Sequence, residues 1–190
     1  MRLFIAINLP ADVRATAWGA AEPLRAAIPA GVAWVREEAL HVTLRFLGEQ
    51  PPEVVDRLAR ELEPALSSME PPRIELTGVG VFPTVRRPRV LWLGGPANST
   101  VTELYHVVER ACARLGVEPE GREFRAHVTI GRVRQGAAVD VVALDRAAGD
   151  IRLRTGFVAR SVDVMESELT PAGARYRVLA AIPIGGLQGG

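Results

Sequence analysis

The chain has a single cysteine, no lysine, three histidines and few aromatic residues, 5% of 190 positions. The lone thiol, Cys112, excludes an intramolecular disulfide and any Cys-x-x-Cys metal motif. It falls in a helical stretch, where a buried packing role is expected rather than a reactive one. No apolar run approaches the ~20 residues needed to span a bilayer. The opening RLFIAINLP is too short for a secretory leader and reads better as a strand. A cytoplasmic location, away from membranes, is the expectation. Net charge is only +1, which argues against a general polyanion-binding surface. No glycine-rich phosphate loop and no Gly-x-Ser-x-Gly elbow occurs, so P-loop and serine-nucleophile chemistry lack their usual signatures.

What is present is an ordinary globular composition, 48% hydrophobic and 24% charged, long enough for one substantial core. All 23 basic residues are arginine. A coding bias of the source genome is the simpler account of that, yet arginine's planar fork suits phosphate and keeps its charge at any relevant pH. The arginines cluster locally: Arg86, Arg87 and Arg89 together, then Arg122, Arg125, Arg132 and Arg134.

Those last four surround the second copy of a repeated pattern. His41-Val42-Thr43-Leu44 recurs as His127-Val128-Thr129-Ile130, so two of the three histidines share one setting. In a strand, successive side chains alternate faces. Each His therefore shares a face with its Thr, and the apolar residues point to a core. By the same alternation Phe46 falls on the core face with Val42 and Leu44. His106, the third histidine, reads as a helix-surface residue.

Apolar periodicity predicts helices over 11–28, from Glu53 to about 66, from Ser99 or Thr100 (either a cap) to 115, and over 138–148. Strands are predicted over 2–8, 32–35, 40–47, 73–81, 90–93, 126–133, 150–155, 157–168 and 174–184. Helices are often followed by two strands, which favours an α+β fold with antiparallel sheets over a doubly wound one. The motifs stand 86 positions apart, from 41 to 127, so an internal duplication is the simplest account. No linker divides the chain, and residues 1–190 count as one domain of two lobes.

Two imidazoles facing one phosphorus form a general acid–base pair, because a side chain with pKa near ~6.5 can be protonated on one and neutral on the other. Each Thr hydroxyl can donate to a non-bridging phosphate oxygen. Arg132, five residues after His127 where that strand should end, is best placed to stabilise growing negative charge. A zinc site lacks a believable third ligand.

At this point the chain resembles the two-histidine (2H) phosphoesterases, and more closely the RNA 2′,3′-cyclic phosphodiesterases, also called 2′-5′ RNA ligases. The resemblance rests on Arg2-Leu3-Phe4-Ile5-Ala6-Ile7 with Leu9-Pro10, and on Trp34 leading into His41-Val42-Thr43-Leu44-Arg45-Phe46-Leu47-Gly48. It continues through Gly80-Val81-Phe82-Pro83, Pro88-Arg89-Val90-Leu91-Trp92 and Ala126-His127-Val128-Thr129-Ile130-Gly131-Arg132. Glu166-Ser167-Glu168-Leu169 and Gly173-Ala174-Arg175-Tyr176 complete it. Ala126 departs from the proline the family often has there.

The resemblance implies a bilobal, pseudo-symmetric α+β fold, its antiparallel sheets flanked by helices around a central groove. It implies hydrolysis of RNA-terminal 2′,3′-cyclic phosphate to a 2′-phosphomonoester without metal or other cofactor, with reverse 2′-5′ ligation in some relatives. His41 and His127 are the implied catalytic pair, with Thr43, Thr129 and Arg132 on the phosphate. His127 is implied as the base and His41 as the acid, an order the residues alone leave open. Arg45, Arg87, Arg89 and Arg125 are candidates for RNA backbone contacts, and Phe46 and Trp34 for stacking on a base. Substrates would be RNA 3′ ends or small cyclic nucleotides, acted on by a monomer with no obligate protein partner. The alternatives are a related phosphodiesterase for another cyclic or 2′-5′-linked nucleotide, and a non-catalytic RNA-end binder.

Overall fold

The computed structural model describes residues 1–121, 123–170 and 173–186, so Arg122 of the arginine cluster lies outside the described residues. In chain order the elements are β1 (Arg2–Asn8), α1 (Ala11–Ala20), α2 (Glu22–Ala27), β2 (Val32–Trp34), a 3-10 turn (Glu37–Ala39), β3 (His41–Glu49), α3 (Glu53–Ser67) and β4 (Arg73–Leu76). They continue as β5 (Gly78–Thr84), β6 (Arg87–Gly94), α4 (Ser99–Arg114), β7 (His127–Val133), α5 (Val141–Asp150), β8 (Thr155–Val158), β9 (Ser161–Thr170) and β10 (Gly173–Pro183). Eight strands form one antiparallel sheet in the order β10-β9-β1-β3-β7-β6-β5, with β2 also on β7, while β4 and β8 pair separately. The α+β expectation holds.

Local differences from the expected elements have local causes. The first helix breaks at Ala21, and Pro23 stands in the first turn of α2, where a missing N–H costs nothing. The single strand expected over 73–81 divides, because β4 pairs with β8 and β5 with β6. The cap of α4 is Asn98 rather than Ser99 or Thr100: its side chain accepts from the N–H groups of Thr100 and Val101 at 2.9 and 3.3 Å. The strand expected over 150–155 is not formed there, since α5 runs to Asp150 and β8 begins only at Thr155. Cys112 packs in the core at 1% exposure, where burial foremost pushes its thiol up to about 12.

The duplication is visible in the hydrogen-bond register. On β1 and β3, Phe4 pairs with Phe46, Ile5 with Arg45, Ala6 with Thr43, Ile7 with Val42 and Asn8 with His41. On β6 and β7, Val90 pairs with Arg132, Leu91 with Gly131, Trp92 with Thr129, Leu93 with Val128 and Gly94 with His127. These five pairs of the first ladder all recur 86 residues later in the second, while Arg2 with Glu49 and Leu3 with Gly48 extend the first alone. The two half-sheets meet where β3 and β7 pair at Val42 and Val128. One core of buried apolar residues runs beneath both halves.

Each ladder also carries the same irregularity. Leu44 is skipped between Thr43 and Arg45, and Ile130 between Thr129 and Gly131. Such a bulge adds one residue to a strand and inverts the facing of everything beyond it. Arg45 therefore turns inward and is 5% exposed, while Phe46 turns outward and is 54% exposed. Both results correct the simple alternation.

Arg45 is accordingly withdrawn from the RNA-contacting candidates. It ion-pairs with Glu109 of α4 at 3.2 Å and with Glu120 at 3.5 Å, and donates to the Glu118 carbonyl. Those contacts tie β3 to α4 and to the segment that leads into β7. Removing one partner from a buried charge pair typically costs about 3–5 kcal/mol, because the other charge is left uncompensated. Arg45→Met is expected to lose stability of that order in urea unfolding, with the salt dependence of RNA-end binding unchanged. A loss no larger than that of an exposed ion pair, with a shallower salt slope, would return Arg45 to the substrate side.

Candidate active site

The face of the sheet that carries both His-x-Thr pairs has its own small apolar floor, Phe4, Ala6 and Met165, separate from the main core. His41 and His127 open their strands on either side of the Val42–Val128 pairing. In that register each His lies diagonally across from the other, and diagonal neighbours in such a ladder stand about 7–8 Å apart. One phosphoryl group fits a gap of that size. Beyond the crossing point β7 pairs with β2 instead of β3, so the two strands part.

Both imidazoles are held alike. Nδ1 of His41 donates to the Ala39 carbonyl at 2.8 Å, and Nδ1 of His127 to the Arg125 carbonyl at 2.7 Å. A carbonyl only accepts, so each Nδ1 carries the hydrogen and each Nε2 is left for proton transfer. Thr43 Oγ1 lies 3.0 Å from His41 Nε2. Around His41 stand Phe4 at 5.0 Å and Tyr176 at 5.1 Å, the latter edge-on at 88°. Around His127 stand Phe82 at 5.2 Å, edge-on at 86°, and Trp92 at 6.0 Å.

These rings lower the polarity around the two histidines. Burial, the largest influence, pulls both imidazoles below the ordinary value, opposed by the hydrogen bonds to Ala39 and Arg125. The Arg132 charge lowers both further, His127 adds to the lowering at His41, and Arg125 adds to it at His127. One guanidinium thus influences both rings from the exposed side of β7.

Arg132 reaches that position through the Ile130 bulge, just as Phe46 does through the Leu44 bulge. Simple alternation would have turned Arg132 into the core; instead Gly131 faces inward. A Cβ on Gly131 would stand 2.7 Å from Val32 Cγ1 and 3.0 Å from the Trp34 ring, so only glycine fits there. Trp34 is accordingly corrected: its ring covers Gly131 and packs on the core, away from the histidines. Phe46 stays with the site, 6.0 Å from Phe4. Arg125 is exposed and its guanidinium lies 4.7 Å over the Trp92 ring. Arg87 and Arg89 are exposed on β6, next to Val90, the partner of Arg132. His106 is exposed on α4. Among the described residues no three metal-ligating side chains gather.

Sequence reasoning assigned no role to Phe4, Phe82, Trp92 or Tyr176. All four lie in segments that carried the resemblance; a count of 86 positions from Ala6 would have pointed to Trp92.

Comparison with known proteins bears on the family and the fold. The model of the LigT-like phosphoesterases matches residues 7–92 and 95–176. A curated protein of Aeropyrum pernix is 37% identical over 76% of this chain and 82% of its own length, and one of Methanothermobacter thermautotrophicus is 33% identical over 93% and 95%. Both are named RNA 2′,3′-cyclic phosphodiesterase. Among solved structures, TT0787 of Thermus thermophilus superposes with a TM-score of 0.79 at 27% identity, over 99% of this chain and 100% of that one. Escherichia coli LigT in complex with 3′-AMP superposes at 0.76 over 96% and 97%; at 24% identity that likeness concerns the fold alone.

The shared influence of Arg132 has a measurable sign. Both imidazoles sit below their ordinary value partly because of its charge, so removing the charge raises both. In Arg132→Met, both limbs of the pH profile of kcat/KM for a 2′,3′-cyclic nucleotide are expected to move to higher pH, besides a lower maximum. Limbs that stay in place while the maximum falls would place Arg132 outside electrostatic reach of the pair.

Proposed function

The chain belongs to the LigT-like phosphoesterase family, and from that premise we propose that it is an enzyme that opens RNA-terminal 2′,3′-cyclic phosphates with water, leaving a 2′-phosphomonoester. The observation that carries this reading is the matched pair of imidazoles, each with Nδ1 tied to a carbonyl, one on either side of the β3–β7 crossing.

The reaction follows from that placement. Neutral His127 takes a proton from water through Nε2 as the water oxygen bonds to phosphorus. The bond from phosphorus to the 3′ oxygen breaks on the opposite side, and protonated His41 gives that oxygen its Nε2 proton. The phosphate stays on the 2′ oxygen, and one proton exchange with solvent restores both rings. Thr43 and Thr129 donate to the non-bridging oxygens, and Arg132 opposes the charge that builds on them. Donors aimed at developing charge typically contribute about 3–4 kcal/mol each, and each acid or base about 10²–10⁴-fold. No metal or other cofactor enters these steps.

Only a terminal phosphate and a few nucleotides need contact, so a local arginine set suffices despite the net charge of +1. Arg87, Arg89 and Arg125 are the proposed backbone contacts, with Phe46 offered to a base. Residues 1–190 act as one two-lobed domain, a monomer without an obligate protein partner, and a cytoplasmic location suits its RNA substrates. No helix among the described residues is long and apolar enough to cross a membrane.

The test is product analysis on an oligonucleotide ending in 2′,3′-cyclic phosphate, in EDTA. Wild type is expected to yield the 2′-phosphate, and His41→Ala and His127→Ala each to slow this by about 10²–10⁴-fold with the fold intact. Most activity surviving in either variant would reject the paired mechanism. Binding without product would indicate an RNA-end binder, and turnover only of other cyclic or 2′-5′-linked nucleotides a different phosphodiesterase.

A further inference from the structure

The two halves agree in backbone but not in what fills the space beside each histidine. In the second half Trp92 pairs with Gly80, and its indole lies across the place where a Cβ on Gly80 would stand. That ring packs against His127. The equivalent positions of the first half are Ala6 and Asp163, paired in the β1–β9 ladder. Ala6 brings no ring. In place of an indole there is a cavity of about 440 Å³ beside His41, within the ~300–1,000 Å³ of small-molecule pockets.

Its lining is polar and organised. Asp163, 5% exposed, accepts from Asn8 Nδ2 at 2.6 Å and from Ser161 Oγ at 2.8 Å. Asn8 Nδ2 also contacts Met165 Sδ at 3.3 Å, so both amide hydrogens point inward and the Oδ1 acceptor is the end left for a ligand. Arg14 lines the same cavity, and its buried Nε–H finds no acceptor among the described residues. Tyr176, edge-on to His41, supplies an aromatic wall.

We infer that this cavity is the subsite for the nucleobase of the terminal nucleotide, and that it favours bases bearing an exocyclic amino group over uracil. A nucleobase is a flat heteroaromatic ring of the kind that Trp92 provides on the other side. Asn8 Oδ1 and the Asp163 carboxylate both accept and so match an amino group, while Arg14 donates to a ring nitrogen or carbonyl oxygen. The nucleoside then lies on the side of His41, with its 3′ oxygen toward that ring, and water enters from His127. This subsite rests on the cyclic phosphodiesterase reading and adds base selection to it.

The test compares kcat/KM for 2′,3′-cyclic AMP, 2′,3′-cyclic UMP and the base-free methyl riboside 2′,3′-cyclic phosphate. Wild type is expected to favour cyclic AMP over the base-free ester by about tenfold or more, and over cyclic UMP by a smaller factor, as unpaired polar groups penalise the wrong ligand. Ala181 is exposed, lines the cavity and pairs with Asp163, so Ala181→Trp supplies the missing ring. That variant is expected to collapse the ratio of cyclic AMP to the base-free ester, and Asp163→Asn the ratio of cyclic AMP to cyclic UMP. A misfolded variant lowers all substrates together and leaves the ratios alone. Equal wild-type rates for the three substrates, or ratios unmoved in both folded variants, would overturn the subsite while cyclic phosphodiesterase activity stood. Hydrolysis of none of the three would overturn the activity itself.

Discussion

Strict alternation along β3 and β7 would set Arg45 and Gly131 beside the histidines and bury Phe46 and Arg132. The bulges at Leu44 and Ile130 reverse that order. Other features of the site depend on the reversal. A buried arginine needs anionic partners, and Glu109 and Glu120 supply them. The equivalent inward position on β7 must be glycine, because Val32 and Trp34 of β2 close over it. A charge and a ring are thereby freed to face the groove at matching places, Arg132 in one half and Phe46 in the other.

Much of this was legible in the sequence and some was not. The paired motifs, the α+β class, most elements and the 86-residue period could be read because each rests on local pattern. Arg45 and Phe46 were read on the wrong faces because a bulge leaves no mark in the residue types: Leu44 looks like any apolar strand residue. Trp34 was misplaced for a related reason, since the partner of β2 depends on where β3 and β7 separate. The cavity beside His41 was beyond sequence reading, as Asn8 and Arg14 lie about 150 residues from Asp163 and only the β1–β9 pairing brings them together.

Duplication explains the backbone, and divergence explains how the halves come to differ in use. Two imidazoles in equivalent frames would be interchangeable in a perfect repeat. Here one half carries Arg125 over Trp92, whose indole fills the space beside His127; the other leaves a polar hollow beside His41. On the proposed reading that difference gives a directional site, with room for a nucleoside toward His41. On that same reading, the division of acid and base follows from where the nucleoside lies, and does not require intrinsically different histidines.

The electrostatics fit a site that must act on an anion near neutrality. Burial and the arginine charges draw both imidazoles below their usual value before substrate arrives, and the single negative charge of a bound cyclic phosphate opposes that shift, favouring the protonated form where the acid is needed. The central claim is direct displacement at phosphorus, with water and leaving oxygen on opposite sides between the rings. Hydrolysis of one diastereomer of a nucleoside 2′,3′-cyclic phosphorothioate in ¹⁸O-labelled water tests it through the configuration at phosphorus. Inversion is the expected result; retention, the mark of a covalent phosphohistidine and two displacements, would contradict the account.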